Sequence, residues 1–163
     1  NQPYAGWSTH MKWIIYSVCA VGGAALAAGL VYMTSGKPAS SKPVASVMLA
    51  GIQGAPGDGN ASLAKAFRTV LANIDIPVTE DMSACAIAVS TEVGSVRRGG
   101  VEHVSLVWQI HDAEGNPLGE VTQANQIVAG ALDGAWGTEA SLAARGARDG
   151  IVAIMRKPRP GCT

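Results

Sequence analysis

The sequence predicts an α+β protein that combines a single N-terminal transmembrane helix with a two-layer α/β sandwich. Residues 13–33 contain no charged residue and no proline, and as a helix they would extend about 30 Å, the thickness of a bilayer's hydrocarbon core. Downstream, segments with the two-residue period of strands alternate with two segments of helical period. The predicted order is β-α-β-β-β-α, which is typical of a mainly antiparallel sheet with both helices on one face.

Composition divides the 163 residues into four segments. Residues 1–11 form a polar N-terminal tail, and residues 12–33 form the transmembrane helix. Residues 34–43 are rich in Ser, Pro and Lys, which predicts a flexible linker that can reach roughly 30 Å. Residues 44–163 form one α+β domain of about 120 residues, enough to bury a single core.

The apolar run also has features of a secretory signal peptide. Met11 and Lys12 resemble its start, and Ala-Leu-Ala at residues 25–27 resembles a cleavage site. However, the run is longer than the apolar region of a signal peptide, and ten residues precede Met11. We therefore favour an uncleaved spanning helix.

The small residues inside this helix predict close packing against a partner helix, although an ordinary alanine-rich composition would explain them equally well. The predicted packing face comprises Gly22, Gly23, Leu26, Ala27 and Gly29. Lysines flank both ends of the helix, so the positive-inside rule does not decide its orientation. Its early position favours a signal-anchor in a bacterial inner membrane, with the N-terminus cytoplasmic and the folded domain periplasmic.

The domain begins with a strand over residues 44–52, which is apolar on both faces and therefore central in the sheet. A turn-rich loop over residues 54–60 follows, with Asn60 placed as the N-cap of the next element. That element is a helix over residues 61–75, because its apolar residues recur at helical spacing. Pro77 then forces a break.

The remaining elements form a meander and a second helix. Strands are predicted over residues 84–96 and 101–111, and the hairpin partner of the second covers residues 118–127. The second helix covers residues 133–155 and ends beside cationic residues, which suit a helix C-terminus. Trp108 and Trp136 fall at strand and helix spacing and are predicted to lie in the core rather than to line a pocket.

Charge and cysteine content argue against some classes of function. The 12 basic and 12 acidic residues balance, and no basic stripe is present, which argues against nucleic-acid binding. Cys85 and Cys162 are far apart in a domain expected to be exported, so either one disulfide or two unlinked thiols fits the sequence. The absence of a C-x-x-C motif argues against a structural zinc site.

The domain resembles a family of small periplasmic domains of bacterial envelope proteins, represented by the amino-terminal domain of TolB and related lipoprotein domains. The resemblance rests on Leu-Ala-Lys-Ala-Phe at residues 63–67, the hairpin at residues 107–119 and the run at residues 123–137. It implies the order strand, helix, three strands, helix and a periplasmic location. It carries no catalytic residues, and the transmembrane anchor distinguishes this chain from those relatives.

Candidate chemistry in the sequence is sparse. His103, Ser105 and His111 share one face of a strand, but the two histidines are about 26 Å apart along it and cannot ligate one metal ion. No G-x-S-x-G elbow accompanies Ser105, and the loop at residues 54–60 lacks the G-K-[ST] of a phosphate-binding loop. We therefore predict no catalytic residue, no metal and no cofactor.

The polar side chains of two neighbouring strands predict a surface for a partner protein instead. Its candidate residues are His103, Ser105, His111, Gln123 and Asn125. The sequence thus favours a non-enzymatic, single-pass subunit that docks in an inner-membrane protein complex through its helix in the lipid bilayer, with no nucleic-acid partner and no small-molecule substrate. The alternative is an envelope binding or assembly factor that captures a lipid, a peptide or an outer-membrane partner.

Overall fold

A computed structural model describes residues 14–16, 46–83, 85–160 and 162, with the backbone alone for residues 14–16. These residues form six strands and two helices. In chain order they are β1 (Ile14–Tyr16), β2 (Val47–Gln53), α1 (Gly59–Ala72), β3 (Val78–Thr79), β4 (Ile87–Arg98), β5 (Val101–His111), β6 (Pro117–Val128) and α2 (Gly137–Met155).

All six strands belong to one mixed sheet with the order β1-β6-β5-β4-β2-β3. The meander β4-β5-β6 is antiparallel, as the sequence predicts. β2 runs parallel to β4 and β3, because α1 carries the chain back along the sheet before β4 begins. The α+β prediction is confirmed.

Element boundaries differ from the sequence prediction in ways that local geometry explains. The first helix ends at Ala72, and Asp75 adopts a positive φ of 56° just before Pro77. The second helix begins at Gly137 rather than near residue 133, because residues 129–136 form a loop that Trp136 holds in place. The two-residue strand β3 is too short to give a periodic signal.

The first described residues differ from the predicted transmembrane helix. Ile14–Tyr16 form strand β1, which pairs antiparallel with β6 and places Ile14 opposite Ala124 and Tyr16 opposite Thr122. Isoleucine and tyrosine suit a strand as well as a membrane helix, so an apolar run does not distinguish the two.

The rest of the predicted membrane helix, including its packing face from Gly22 to Gly29, lies outside the described residues. The same is true of the N-terminal tail and the linker. Within the described ranges, neither helix combines the length and the apolar character that crossing a bilayer requires.

The core lies between the two helices and one face of the sheet. Along β4 and β5, alternate residues are buried, and Phe67 of α1 packs against Trp108 of β5 with ring centroids 5.0 Å apart. On α2, the buried residues include four alanines, Ala140, Ala143, Ala144 and Ala147. No helix of the described chain covers the opposite face of the sheet, which we call the open face.

A disulfide joins Cys85 to Cys162, with their Cα atoms 5.4 Å apart. The structure thereby selects one of the two alternatives that the sequence left open. Arg159, three residues before Cys162, donates hydrogen bonds to the carbonyls of Cys85 (3.0 Å) and Ala86 (3.4 Å). The C-terminal segment is therefore fixed to the start of β4 both covalently and by hydrogen bonds.

Candidate interaction surface

The structure divides the five predicted surface residues between the two faces of the sheet. His103 and Ser105 are exposed on the open face, and His111 is half-buried on the same face. Gln123 and Asn125 lie on the other face, toward the helices. The five residues therefore do not form one surface.

The prediction that Gln123 contributes to a surface is wrong. Its side chain is 0% exposed, accepts a 2.8 Å hydrogen bond from Nε1 of Trp108 and donates one of 3.1 Å to the carbonyl of Ala143. A buried indole N–H requires an acceptor. Gln123 also shares its strand face with the apolar Val121, and these two facts together could have located it in the core.

Three exposed valines mark the open face at the β4–β5 turn, and we call them the valine patch. Val96 is 55% exposed, Val101 39% and Val128 71%. Val101 lies directly opposite Val128, and Val96 lies opposite His103. Sequence reasoning missed this patch, because its members come from three strands whose register the sequence alone does not define.

An open cavity of about 620 Å³ lies next to the valine patch, and we call it the apolar groove. It is bounded by the start of β5, the end of β6, the loop that follows β6 and the first turn of α2. Its apolar walls are Val101, Ile127, Val128, Leu132, Ala135 and Trp136. Gln126 and Glu139 supply polar atoms to the same lining.

A buried carboxylate holds the loop after β6 against the sheet. Glu102 accepts hydrogen bonds from the backbone N–H of Gly130 at 3.0 Å and from Nε of Arg97 at 3.2 Å, and it also bonds Ser95. Arg97 extends the network to Asp133 in that loop. The hydrogen bond from Ser95, followed by that from Gly130, holds the pKa of Glu102 below its ordinary value.

Replacing Glu102 with glutamine should lower the free energy of unfolding by about 1–3 kcal/mol at neutral pH, because charge-assisted bonds to buried groups are lost. Since folding lowers the pKa of this group, its contribution is complete above the unfolded-state pKa and disappears as the pH falls through the folded-state pKa. Denaturant unfolding of both proteins across this acidic range measures the difference.

The matched control is Glu92→Gln, at an exposed position on β4, which should change stability by less than about 0.5 kcal/mol. A constant difference between the Glu102→Gln variant and the wild type at every pH would contradict the assigned role of the carboxylate.

The loops before the two helices interlock at Trp136, which also lines the apolar groove. Oδ1 of Asp58 accepts a 2.8 Å hydrogen bond from the backbone N–H of Trp136, and Nε1 of Trp136 donates to the carbonyl of Pro56 at 2.9 Å. Gly57 has a positive φ of 60°, and a Cβ there would lie 2.1 Å from the carbonyl oxygen of Gly134. The loop at residues 54–60, which was compared with a phosphate-binding loop, is therefore packed against the loop before α2.

The described part of the chain does not bring its candidate metal ligands together. No cluster of three or more His, Cys, Asp or Glu side chains there could hold a metal ion. His103 and His111 lie opposite Val96 and Ala88 in the sheet, at separate positions along β5. The two histidines therefore do not converge on one site.

No protein-family model and no curated protein sequence matches this chain. Two solved structures of PelC dodecamers from Paraburkholderia phytofirmans, one of them of a variant with a single substitution, are similar to it. Both are 12% identical and cover 77% of this chain; the alignments span 95% and 96% of the PelC chains, with TM-scores of 0.45 and 0.44. A similarity at this level supports no inference about function. Neither is a TolB domain, so the resemblance to that domain stays a prediction.

Proposed function

We propose that this protein is a non-enzymatic, single-pass subunit of an inner-membrane protein complex, whose α+β domain contacts another subunit through the open face. The observation that carries the proposal is the valine patch, in which Val96 and Val128 are 55% and 71% exposed. Clustered exposed apolar side chains mark interaction sites, because water contact at such a cluster is unfavourable and a partner can remove it.

The membrane part of the proposal rests on the uncharged run at residues 13–33. A single span would place the two ends of this run on opposite sides of the bilayer. Strand β1 lies inside this run, so its residues cannot cross the bilayer and pair with β6 at the same time. The proposal therefore requires that β1 leaves the edge of β6 when the chain is inserted in a membrane.

The apolar groove favours the second candidate function, an envelope factor that captures a lipid, a peptide or an outer-membrane partner. Its volume of about 620 Å³ falls within the usual range of ligand pockets. Purification of the full chain from native membranes in mild detergent separates the candidates. A stoichiometric membrane subunit supports the first, and a substoichiometric soluble partner or a bound lipid supports the second.

Replacing Val96 with glutamate should reduce the amount of co-purified subunit at least about tenfold, because the charge would lie in a desolvated contact. Folding should be preserved, since Val96 is exposed and lies outside the apolar groove. Met82→Glu, at an exposed apolar position outside the valine patch, is the matched control. If the Val96→Glu and wild-type chains retain equal amounts of the co-purified subunit, quantified by mass spectrometry, the open face is not the contact surface.

A further inference from the structure

A second open cavity, of about 530 Å³, lies between the two helices, and we call it the basic groove. One side is the stretch from Ser62 to Asn73, at α1, and the other is the stretch from Gly137 to Arg148, on α2. No residue of a described strand lines it, and it shares only Gly137 with the apolar groove. The basic groove therefore belongs to the helix layer, whereas the valine patch lies on the opposite side of the sheet.

The charged side chains that line the basic groove are all cationic. They are Lys65, Arg145 and Arg148, in a chain whose 12 basic and 12 acidic residues balance. In the described part of the chain, neither Lys65 nor Arg145 pairs with a carboxylate, and Arg148 pairs with Asp149 at 2.8 Å. An exposed ion pair of this kind contributes little to stability, so Arg148 can exchange its partner for another anion.

This grouping of cations is unfavourable for the folded chain by itself. Arg145 and Arg148 are three residues apart on α2, and like charges at this spacing destabilise a helix. Lys65 adds a third positive charge from α1. An anion bound among the three side chains would replace their repulsion with attraction, so the basic groove is suited to a negatively charged ligand.

Uncharged groups in the same lining narrow the chemistry of that ligand. Ser62, Asn73 and Ser141 supply hydroxyl and amide donors from both helices. A phosphate group presents several oxygens and can accept from the cations and hydroxyls of both helices at once, whereas one guanidinium satisfies a carboxylate. Ala66 and Val70 add apolar surface, and the volume is within the range of small-molecule pockets.

We propose that the basic groove binds the phosphate group of an anionic molecule through Lys65, Arg145 and Arg148. A lipid headgroup and a soluble phosphate ester present the same chemistry, and the experiment below separates these two sources. The inference goes beyond the proposed function, because the contact with another subunit uses the other side of the sheet. The two binding events therefore do not compete for the same residues.

The test follows the reactivity of Lys65 in the full chain, purified in mild detergent. An N-hydroxysuccinimide ester acylates accessible lysine amines, and mass spectrometry quantifies the modification at each lysine. Glycerol 3-phosphate is the probe and should slow the acylation of Lys65 in a saturable manner, because the bound phosphate covers the amine. Lys157 is exposed, lies outside the basic groove and should react at an unchanged rate as the internal control.

Two double variants test the role of the arginines. Arg145→Gln combined with Arg148→Gln should raise the probe concentration for half-protection at least about tenfold, because charge-assisted hydrogen bonds to the phosphate are lost. Both side chains reach solvent, and glutamine favours a helix, so the fold should be preserved. Arg98→Gln combined with Arg156→Gln removes the same charge at exposed positions outside the basic groove and should leave the protection unchanged.

Further arms identify the source of the phosphate. Phosphatidylglycerol mixed into the micelles, but not phosphatidylcholine, should protect Lys65 without the soluble probe if the source is a lipid headgroup. Protection by glycerol 3-phosphate alone identifies a soluble ester. Equal protection by the dicarboxylate malonate, absence of protection by both phosphate probes, or full protection of the Arg145→Gln/Arg148→Gln chain would each overturn the inference. Co-purification that depends on Val96 would preserve the proposed function in each of these cases.

Discussion

Replacing Trp136 with alanine should lower the free energy of unfolding by about 3–5 kcal/mol, the largest effect of any single substitution that we expect. The side chain is almost completely buried and belongs to the core. Its indole N–H also donates to the carbonyls of Pro56 and Leu132. Truncation would create a cavity between the two helices and leave both carbonyls without their donor.

Trp136→Phe separates these two contributions, because it keeps most of the volume and removes the N–H. We expect that variant to lose about 1–3 kcal/mol, chiefly from the two unsatisfied carbonyls. Equilibrium denaturant unfolding of both variants and the wild type measures the losses. A loss below about 1 kcal/mol for Trp136→Ala would show that the two loops do not depend on this side chain.

Breaking the disulfide should be the second large effect. Cys85 and Cys162 are 77 residues apart, and a crosslink that closes so long a loop restricts the unfolded chain strongly. Cys162→Ser should therefore lower the free energy of unfolding by about 2–5 kcal/mol. Unfolding is measured with and without a reductant that does not itself denature the protein.

The expected pattern has an internal control. Reductant should destabilise the wild type to the level of Cys162→Ser and leave that variant unchanged. Cys85→Ser combined with Cys162→Ser should cost no more than either single change, because both remove the same bond. A double variant as stable as the oxidised wild type would exclude a stabilising role for the crosslink.

Strong periodicity made most of the domain predictable. The alternation along β5 placed that strand at residues 101–111, as the structure has it, since its buried and exposed faces differ at almost every residue. β3 could not be predicted, because two residues define no period. The pairing of Ile14–Tyr16 with β6 was also not predictable, because an apolar run is compatible with a strand and with a membrane helix.

The candidate site was harder to predict from the sequence than the fold was. A polar side chain was expected to be exposed, but Gln123 satisfies the indole of Trp108 inside the core. Conversely, nothing in the sequence marked Val96 and Val128 as exposed, and both are. They are exposed because the described helices cover only the other face of the sheet. They lie close to one another because of the register of β4, β5 and β6, which a local sequence pattern does not reveal.

The interlocked loops have a consequence for how the chain matures. Asp58 and its hydrogen-bond partner Trp136 are separated by 78 residues. In a chain that is synthesised or exported from its N-terminus, the first helix emerges long before the residue that fixes its beginning. A chain that stops before Trp136 retains the sequence of α1 without that partner, which leaves the carbonyl of Pro56 and the carboxylate of Asp58 unpaired with it. The contacts that fix the start of α1 therefore form only after the last third of the chain is available.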